Sequence, residues 1–143
     1  MKPVIFLRIA SVLTFIHGLL HTIGGVFGKP APGPEQAAVT AMKVNHFIAM
    51  GSTRTFWDFY MGMGLGVTIS LTVEAVVFWQ LSLLARTDAR RLRPICATFA
   101  AGYFALAVNS YGHFFAGPVI AEVLIAICLA SAIFTSKPTT ALG

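Results

Sequence analysis

The sequence predicts an all-α membrane protein, a four-transmembrane-helix bundle with an outer interfacial amphipathic helix between the first and second spans. Hydrophobic residues make up 57% of the 143 residues and charged residues only 10%, whereas a soluble domain carries about 25% charged residues. The mean hydropathy is +0.80. Four apolar runs are long enough to cross a bilayer core of about 30 Å. These observations exclude a soluble globular domain.

The whole chain, residues 1–143, is expected to form one membrane domain. The four spans are predicted at about residues 4–27, 56–84, 92–115 and 118–134, and the interfacial helix at about residues 34–50. A proline-rich break precedes this helix, whose apolar face is predicted to consist of Val39, Met42, His46 and Met50. The C-terminal tail, residues 136–143, is predicted to be disordered.

The basic residues indicate an orientation in a bacterial inner membrane. Ten Lys and Arg residues stand against five Asp and Glu residues, for a net charge of +5. In a four-span topology most of these cations fall on the side of the two termini, which the positive-inside rule places in the cytoplasm. The cations form no basic face suited to nucleic acid, so nucleic acid is excluded as a partner. A homo-oligomer and a larger membrane complex both stay open.

Small and polar residues at helical spacing predict where the spans pack, because helices in lipid gain little from burying leucine against one another. The predicted packing residues are Ala10, Thr14, His17, His21 and Gly28 in the first span; Asp58, Gly62, Gly66, Ser70 and Glu74 in the second; Thr98, Ala101, Ala105, Asn109 and His113 in the third; and Glu122, Ala126 and Ala130 in the fourth. Gly62 and Gly66 are expected to allow close helix approach. Glu74, about 24 Å along the helix from Asp58, is expected to pair with an inner arginine.

The polar residues of the spans converge on the outer side of this topology. His17 and His21 fall roughly 10 and 5 Å below the outer boundary, and ionisable groups at such depth indicate function. The predicted catalytic residues are His17, His21 and Asp58. The predicted ligand-binding residues are His46, Trp57, Tyr60, Asn109, His113 and Glu122.

Other interpretations of these residues stay open. Asp58 stands three residues after Thr55, the spacing of a helix capping box. Each histidine alone is also compatible with a hydrogen-bonded packing role. A further alternative is a metal or haem site with the ligands His17, His21, His46 and His113. Methionines on the same side, such as Met42 and Met50, favour copper among metals, because soft thioethers bind Cu(I).

The order of the motifs resembles an uncharacterised family of small bacterial four-helix membrane proteins. The likeness rests on His-x3-His-x2-Gly-Gly at residues 17–25, the proline-rich break, the helix with His46, Met-Gly-Ser at 50–52 and Phe-Trp-Asp-Phe-Tyr at 56–60. It covers nearly the whole chain and implies the topology but no activity. In span count and length alone, the chain also resembles DoxX-like proteins and the sterol isomerase-like (EXPERA) domain.

The leading functional hypothesis is a pocket in the outer half of the bundle that binds a quinone, an isoprenoid or a sterol-like lipid. Apolar walls with a few convergent polar groups are typical of such pockets. If a reaction is catalysed, His17 and His21 are the proton-transfer residues, Asp58 orients one of them and Asn109 binds a polar head. The cofactor is unknown, with haem or copper as the candidates. An accessory subunit of a larger complex is the third hypothesis.

Overall fold

The computed structural model describes residues 2–136, which are almost entirely helical. In chain order the elements are α1 (Lys2–Leu20), a π-helix (His21–Val26), α2 (Pro34–Val44), β1 (His46–Ala49), β2 (Ser52–Thr55), α3 (Phe56–Asp88), α4 (Arg93–His113) and α5 (Ala116–Phe134). The predicted all-α class is confirmed, with one small hairpin added. Of the tail predicted to be disordered, residues 137–143 lie outside the described residues.

Three helical segments of the described chain are long and apolar enough to cross a membrane, namely Lys2–Val26, Phe56–Asp88 and Ala116–Phe134. They agree with the first, second and fourth predicted spans to within a few residues at each end. Helix α4 occupies the position of the predicted third span. Its 21 residues correspond to a length of about 32 Å.

The interfacial helix predicted over residues 34–50 is wrong in its second half, because α2 ends at Val44. Pro34 stands in the first turn of α2, where its missing N–H costs no hydrogen bond. At the other end, the backbone and side-chain N–H groups of Asn45 both donate to the Ala41 carbonyl, at 3.3 and 2.7 Å. The Asn45 side chain thus shares the acceptor of the last helical hydrogen bond, and the backbone of Asn45 is extended, so α2 ends here.

The residues after α2 form an antiparallel hairpin in which His46 pairs with Thr55 and Ala49 with Ser52. Met50 and Gly51 make the turn with φ angles of 49° and 82°. A two-residue hairpin turn of this type needs positive φ at both positions, and glycine adopts it without steric cost. His46 and Met50 therefore do not continue the apolar face of α2.

Contacts group the described residues into two compact units, residues 2–17 with 71–136 and residues 18–70. In the first unit α4 and α5 pack side by side, as expected for antiparallel helices with a short connection. Its buried apolar residues are Leu7, Ala10, Phe78, Leu81, Ala85, Leu92, Cys96, Tyr103, Ile125, Leu129 and Ala132. In the second unit α2 packs beside β2. The Phe47 ring of β1 lies 4.9 Å from that of Phe56 and 5.9 Å from that of Phe59, centre to centre.

The predicted packing residues Ala10 and Thr14 of α1 and Glu122 of α5 are buried. His17, His21, Ala126 and Ala130 are half-buried, and Gly28 is exposed. The predicted packing faces are wrong in α3 and α4. The small residues predicted to pack there are exposed, and the buried ones are Leu71, Ala75, Phe78, Leu81, Ser82 and Ala85 in α3 and Cys96, Tyr103, Ala107 and Ser110 in α4. The interior of the first unit therefore combines the rings of Phe78 and Tyr103 with a different set of small residues from the predicted one.

Candidate functional site

The predicted site residues are divided between the two units. The first unit contains His17, Asn109, His113 and Glu122, and the second contains His21, His46, Trp57, Asp58 and Tyr60. Each unit has its own set of polar contacts. These contacts determine which side-chain atoms are engaged in hydrogen bonds or ring contacts within the fold.

His21 opens the π-helix, and its ring is fixed by a contact with α3. Ring atom Nε2 lies 3.0 Å from the Gly64 carbonyl oxygen. A carbonyl oxygen only accepts hydrogen bonds, so Nε2 donates and the neutral ring keeps its lone pair on Nδ1. The Nδ1 atom lies on the side of Gly25, where a Cβ would stand 3.5 Å away. Because Gly25 has no Cβ, residue 25 places no side chain against this lone pair.

The π-helix itself has a local cause in the sequence. The Thr22 hydroxyl donates to the Gly18 carbonyl at 2.7 Å. The Phe27 N–H bonds the Thr22 carbonyl, five residues earlier, at 3.0 Å. Gly24 and Gly25 add no Cβ to this widened turn. Single π-turns in α-helices are rare. Where they occur, they frequently lie at functional sites.

The π-helix also contacts the part of α3 that belongs to the second unit. The Tyr60 hydroxyl donates to the Gly25 carbonyl at 2.8 Å, and the Thr22 and Thr68 hydroxyl oxygens lie 2.9 Å apart. A Cβ at Gly64 would come within 3.0 Å of a Val26 methyl group, so glycine permits the close approach. We call the set of residues in these polar contacts the π-turn site; it consists of His21, Thr22, Gly25, Tyr60, Gly64 and Thr68.

Trp57 and Tyr60, both predicted ligand-binding residues, stack on each other with ring centroids 5.2 Å apart. The Lys43 ammonium group lies 4.3 Å from the centre of the Trp57 ring, a cation–π contact between α2 and α3. Trp57 is therefore engaged in packing within the second unit, and Tyr60 connects this packing to the π-turn site.

Asp58 forms a capping box with Thr55, the alternative role that the sequence spacing indicated. Its Oδ2 atom accepts from the Thr55 N–H at 2.8 Å and from the Thr55 hydroxyl at 3.0 Å. The Thr55 hydroxyl oxygen in turn accepts from the Asp58 N–H at 3.2 Å. His46 is exposed on β1, and it acts electrostatically on the Asp58 carboxylate together with Arg54. The start of α3 is thus fixed by Asp58.

In the first unit, Glu122 is the buried member of the predicted set, with 6% of its surface exposed. The Ser110 hydroxyl donates to its Oε1 atom at 3.0 Å. His113 is exposed at the end of α4, and its Nδ1 lies 2.9 Å from the Asn109 carbonyl of the preceding turn. His17 is half-buried on α1, and the Asn109 side chain is exposed.

Sequence reasoning missed a second polar contact of the first unit. The Tyr103 hydroxyl donates to Glu74 Oε2 at 2.5 Å, and the Thr14 hydroxyl lies 3.4 Å from the same phenol oxygen. The expected arginine partner of Glu74 is therefore wrong. Tyr103, Ala107 and Ser110 stand four and three residues apart on α4, a spacing that does mark one helix face. That pattern was available in the sequence.

Metal-ligating side chains are not grouped in the described residues: no three of His, Cys, Asp or Glu lie close enough to hold one ion. Two surface grooves each lie within one unit. One follows α2 from Gly33 to Asn45, and the other is apolar and runs along α1 and α3. Neither groove is lined by a predicted site residue.

The fold and contacts define an all-α chain with three helices able to cross a membrane. Comparison with family models, with curated proteins and with solved structures finds no match.

Proposed function

We propose that the chain is an integral membrane protein that binds a small apolar ligand with a polar head through the Nδ1 atom of His21. The ligand class is a quinone, an isoprenoid or a sterol-like lipid. One observation carries the proposal: the hydrogen bond of 3.0 Å between His21 Nε2 and the Gly64 carbonyl leaves the lone pair on Nδ1. That nitrogen can accept a hydrogen bond from a hydroxyl head group or take up its proton.

The surroundings of His21 support a ligand that is mostly apolar. Leu20, Ile23 and Phe27 expose 64%, 61% and 62% of their surfaces on the same turns. These side chains suit contact with a hydrocarbon tail, while His21 provides the polar group that fixes its orientation. An imidazole ring can both accept and donate a proton, so His21 is also the residue that would transfer a proton if the ligand reacts. His17, Asn109 and His113 stay predictions as ligand residues.

The test compares two neighbouring glycines. Gly25→Ala places a methyl group 3.5 Å from Nδ1, an ordinary van der Waals contact that introduces no strain and puts an apolar group beside this nitrogen. At Gly24 an added Cβ meets no described atom within 4 Å, so Gly24→Ala is the matched control. Both changes raise helix propensity by a similar amount, about 1 kcal/mol. Wild type, His21→Ala, Gly25→Ala and Gly24→Ala are purified in mild detergent, and the extracted lipid is quantified by mass spectrometry.

We expect one lipid species to be retained by wild type and by Gly24→Ala and to be depleted in His21→Ala and Gly25→Ala. Equal retention by all four proteins, or no retained species in wild type, contradicts the proposal. Metal content is measured on the same samples. Stoichiometric metal in wild type that is lost in His21→Ala would favour the metal or haem alternative over the lipid. Co-purifying partner chains without any ligand would favour an accessory subunit.

In the same proposal, α4 crosses the membrane as a fourth span and completes a bundle with α1, α3 and α5. The distribution of basic residues supports cytoplasmic termini in a bacterial inner membrane. The resemblance to small bacterial four-helix membrane proteins supports the same topology. A homo-oligomer or a larger complex is compatible with the many apolar side chains that the helices expose.

A further inference from the structure

A basic side chain and an apolar groove lie side by side in the first unit. The Arg8 guanidinium of α1 lies 5.1 Å from the centre of the Trp79 ring of α3. Trp79 is also one wall of a groove of about 340 Å³ along these two helices. The groove is lined by Ser11, Val12, Phe15, Ala75, Val76 and Trp79. One aromatic ring therefore joins the basic group to the groove.

The groove leads from Arg8 toward the middle of α1. Its floor is fixed by the Ser11 hydroxyl, which donates to the Ala75 carbonyl at 2.7 Å. Phe15, the furthest groove residue of α1, stands seven residues after Arg8, or about 10 Å along the helix axis. Phe15 and Val76 expose 55% and 52% of their surfaces. The walls of the groove thus offer apolar surface to a hydrocarbon chain that lies along the helices.

The fold does not satisfy the Arg8 guanidinium. Arg8 belongs to a segment able to cross a membrane and stands six residues, or about 9 Å, after the first residue of α1. A basic group at that depth requires a partner. The Trp79 ring meets the guanidinium, but a ring face replaces none of the hydrogen bonds of its planar fork. Among residues 2–136, Arg8 Nε is buried without a hydrogen-bond partner.

We propose that this groove binds an anionic phospholipid, with the phosphate group at the Arg8 guanidinium and one acyl chain in the groove. Arginine keeps its charge in proteins, and its fork of N–H donors matches phosphate oxygens. A zwitterionic lipid carries the same phosphate but adds a cation, so Arg8 favours the anionic lipid. The inference rests on the membrane location proposed above. It concerns the first unit and is independent of the ligand of His21.

Quenching of tryptophan fluorescence by lipids with brominated acyl chains reports which lipid occupies the groove. The chain has two tryptophans, so Trp57→Phe leaves Trp79 as the reporter. The full-length protein is reconstituted in phosphatidylcholine vesicles that contain either brominated phosphatidylglycerol or brominated phosphatidylcholine. We expect the anionic lipid to quench Trp79 with about fivefold higher apparent affinity, the ratio that corresponds to about 1 kcal/mol per basic residue.

Four variants in this background separate the charge from the groove. Arg8→Gln should remove the preference, whereas Arg90→Gln, which removes an exposed charge between α3 and α4, should keep it. Val76→Phe fills the groove and leaves Arg8 in place, and it should also reduce the preference. Val73→Phe is its matched control, since Val73 is similarly exposed on α3 but does not line the groove. The two lipids are compared within each variant, so a change in Trp79 fluorescence itself does not affect the ratio.

Equal quenching by the two lipids in the Trp57→Phe protein, or an unchanged preference in Arg8→Gln or Val76→Phe, overturns the proposal. A Trp79 that neither lipid quenches is covered by a second copy or a partner chain, which also overturns it. If Arg8→Gln fails to fold, the comparison of Val76→Phe with Val73→Phe decides. His21→Ala should leave the preference unchanged. A chain that does not insert into the vesicles contradicts the membrane location itself, so the failures of the two proposals are distinguished.

Discussion

The Tyr103 hydroxyl donates a hydrogen bond of 2.5 Å to Glu74 Oε2 and thereby joins the middle of α4 to α3 within the first unit. Tyr103 is 2% exposed. An acid in a helix that can cross a membrane requires a partner, and here a phenol provides it. The same phenol oxygen lies 3.4 Å from the Thr14 hydroxyl, so one aromatic side chain connects α1, α3 and α4.

Tyr103→Phe should destabilise the first unit. The substitution keeps the ring but leaves Glu74 without its donor, at a cost of about 1 to 3 kcal/mol in the free energy of unfolding. Thermal unfolding in detergent measures the change. Tyr111→Phe is the control, because Tyr111 is 84% exposed; it should leave the midpoint near that of wild type. Equal midpoints for the two variants would show that the Tyr103 hydrogen bond contributes nothing.

Gly64→Ala should destabilise the second unit relative to Gly66→Ala. An added Cβ at Gly64 would come within 3.0 Å of the Val26 side chain, whereas at Gly66 it meets no described atom within 4 Å. The sequence favoured Gly62 and Gly66 as the packing pair, and the structure assigns the close approach to Gly64. Overpacking costs about 1 to 3 kcal/mol. Combining Gly64→Ala with Val26→Ala should recover part of the loss, and additive effects in that double variant would argue against the contact.

The hairpin turn should be sensitive to both of its central residues. Gly51→Ala forces a side chain into the left-handed region at φ 82°, which costs about 1 to 2 kcal/mol. Met50→Asn should have the opposite effect, because asparagine tolerates positive φ and Asn-Gly favours this turn. Hydrogen exchange of the β1 and β2 amides measures both effects. Exchange should be faster than in wild type for Gly51→Ala and slower for Met50→Asn. The same exchange rate in the two variants would contradict the turn geometry.

The topology predicts three reporter positions. In the proposed topology, fusions at Pro32 and Gly117 should report the outer side and a fusion after Thr87 should report the cytoplasm, because the positive-inside rule assigns the basic residues of the 86–93 segment to the inner side. The Gly117 fusion tests α4 directly, since it reaches the outer side only if α4 crosses the membrane. A cytoplasmic signal from Pro32 would contradict the proposed topology, in which the first connection lies outside.

The helices were largely predictable because apolar length and local capping determine them. Thr55 and Asp58 mark the start of α3 in sequence and in structure. The hairpin was not predictable in the same way, since Met42, His46 and Met50 recur at helical spacing. A methionine at positive φ is uncommon, and no pattern in the sequence predicts this backbone conformation for Met50.

The candidate site was predictable only in part. His21 was identified from its place in an apolar span, but its partner is the backbone carbonyl of Gly64, and a backbone acceptor leaves no pattern in the sequence. The π-helix further changes which residues follow His21 on a face. Tyr103 and Glu74 were not paired because small residues were expected to mark the packing faces of α3 and α4. The buried faces of those helices contain other small residues, such as Ala75 and Ala107, together with the large rings of Phe78 and Tyr103.

The proton position on His21 is the most direct test of the central claim. Nitrogen-15 NMR of histidine-labelled protein in lipid distinguishes the two neutral tautomers, and comparison with His21→Ala assigns the resonances. We predict that His21 carries its hydrogen on Nε2, held by the Gly64 carbonyl at 3.0 Å, and that Nδ1 has the shift of an unprotonated nitrogen. A hydrogen on Nδ1 and none on Nε2 would contradict the account, because the lone pair would then face Gly64 and not the ligand.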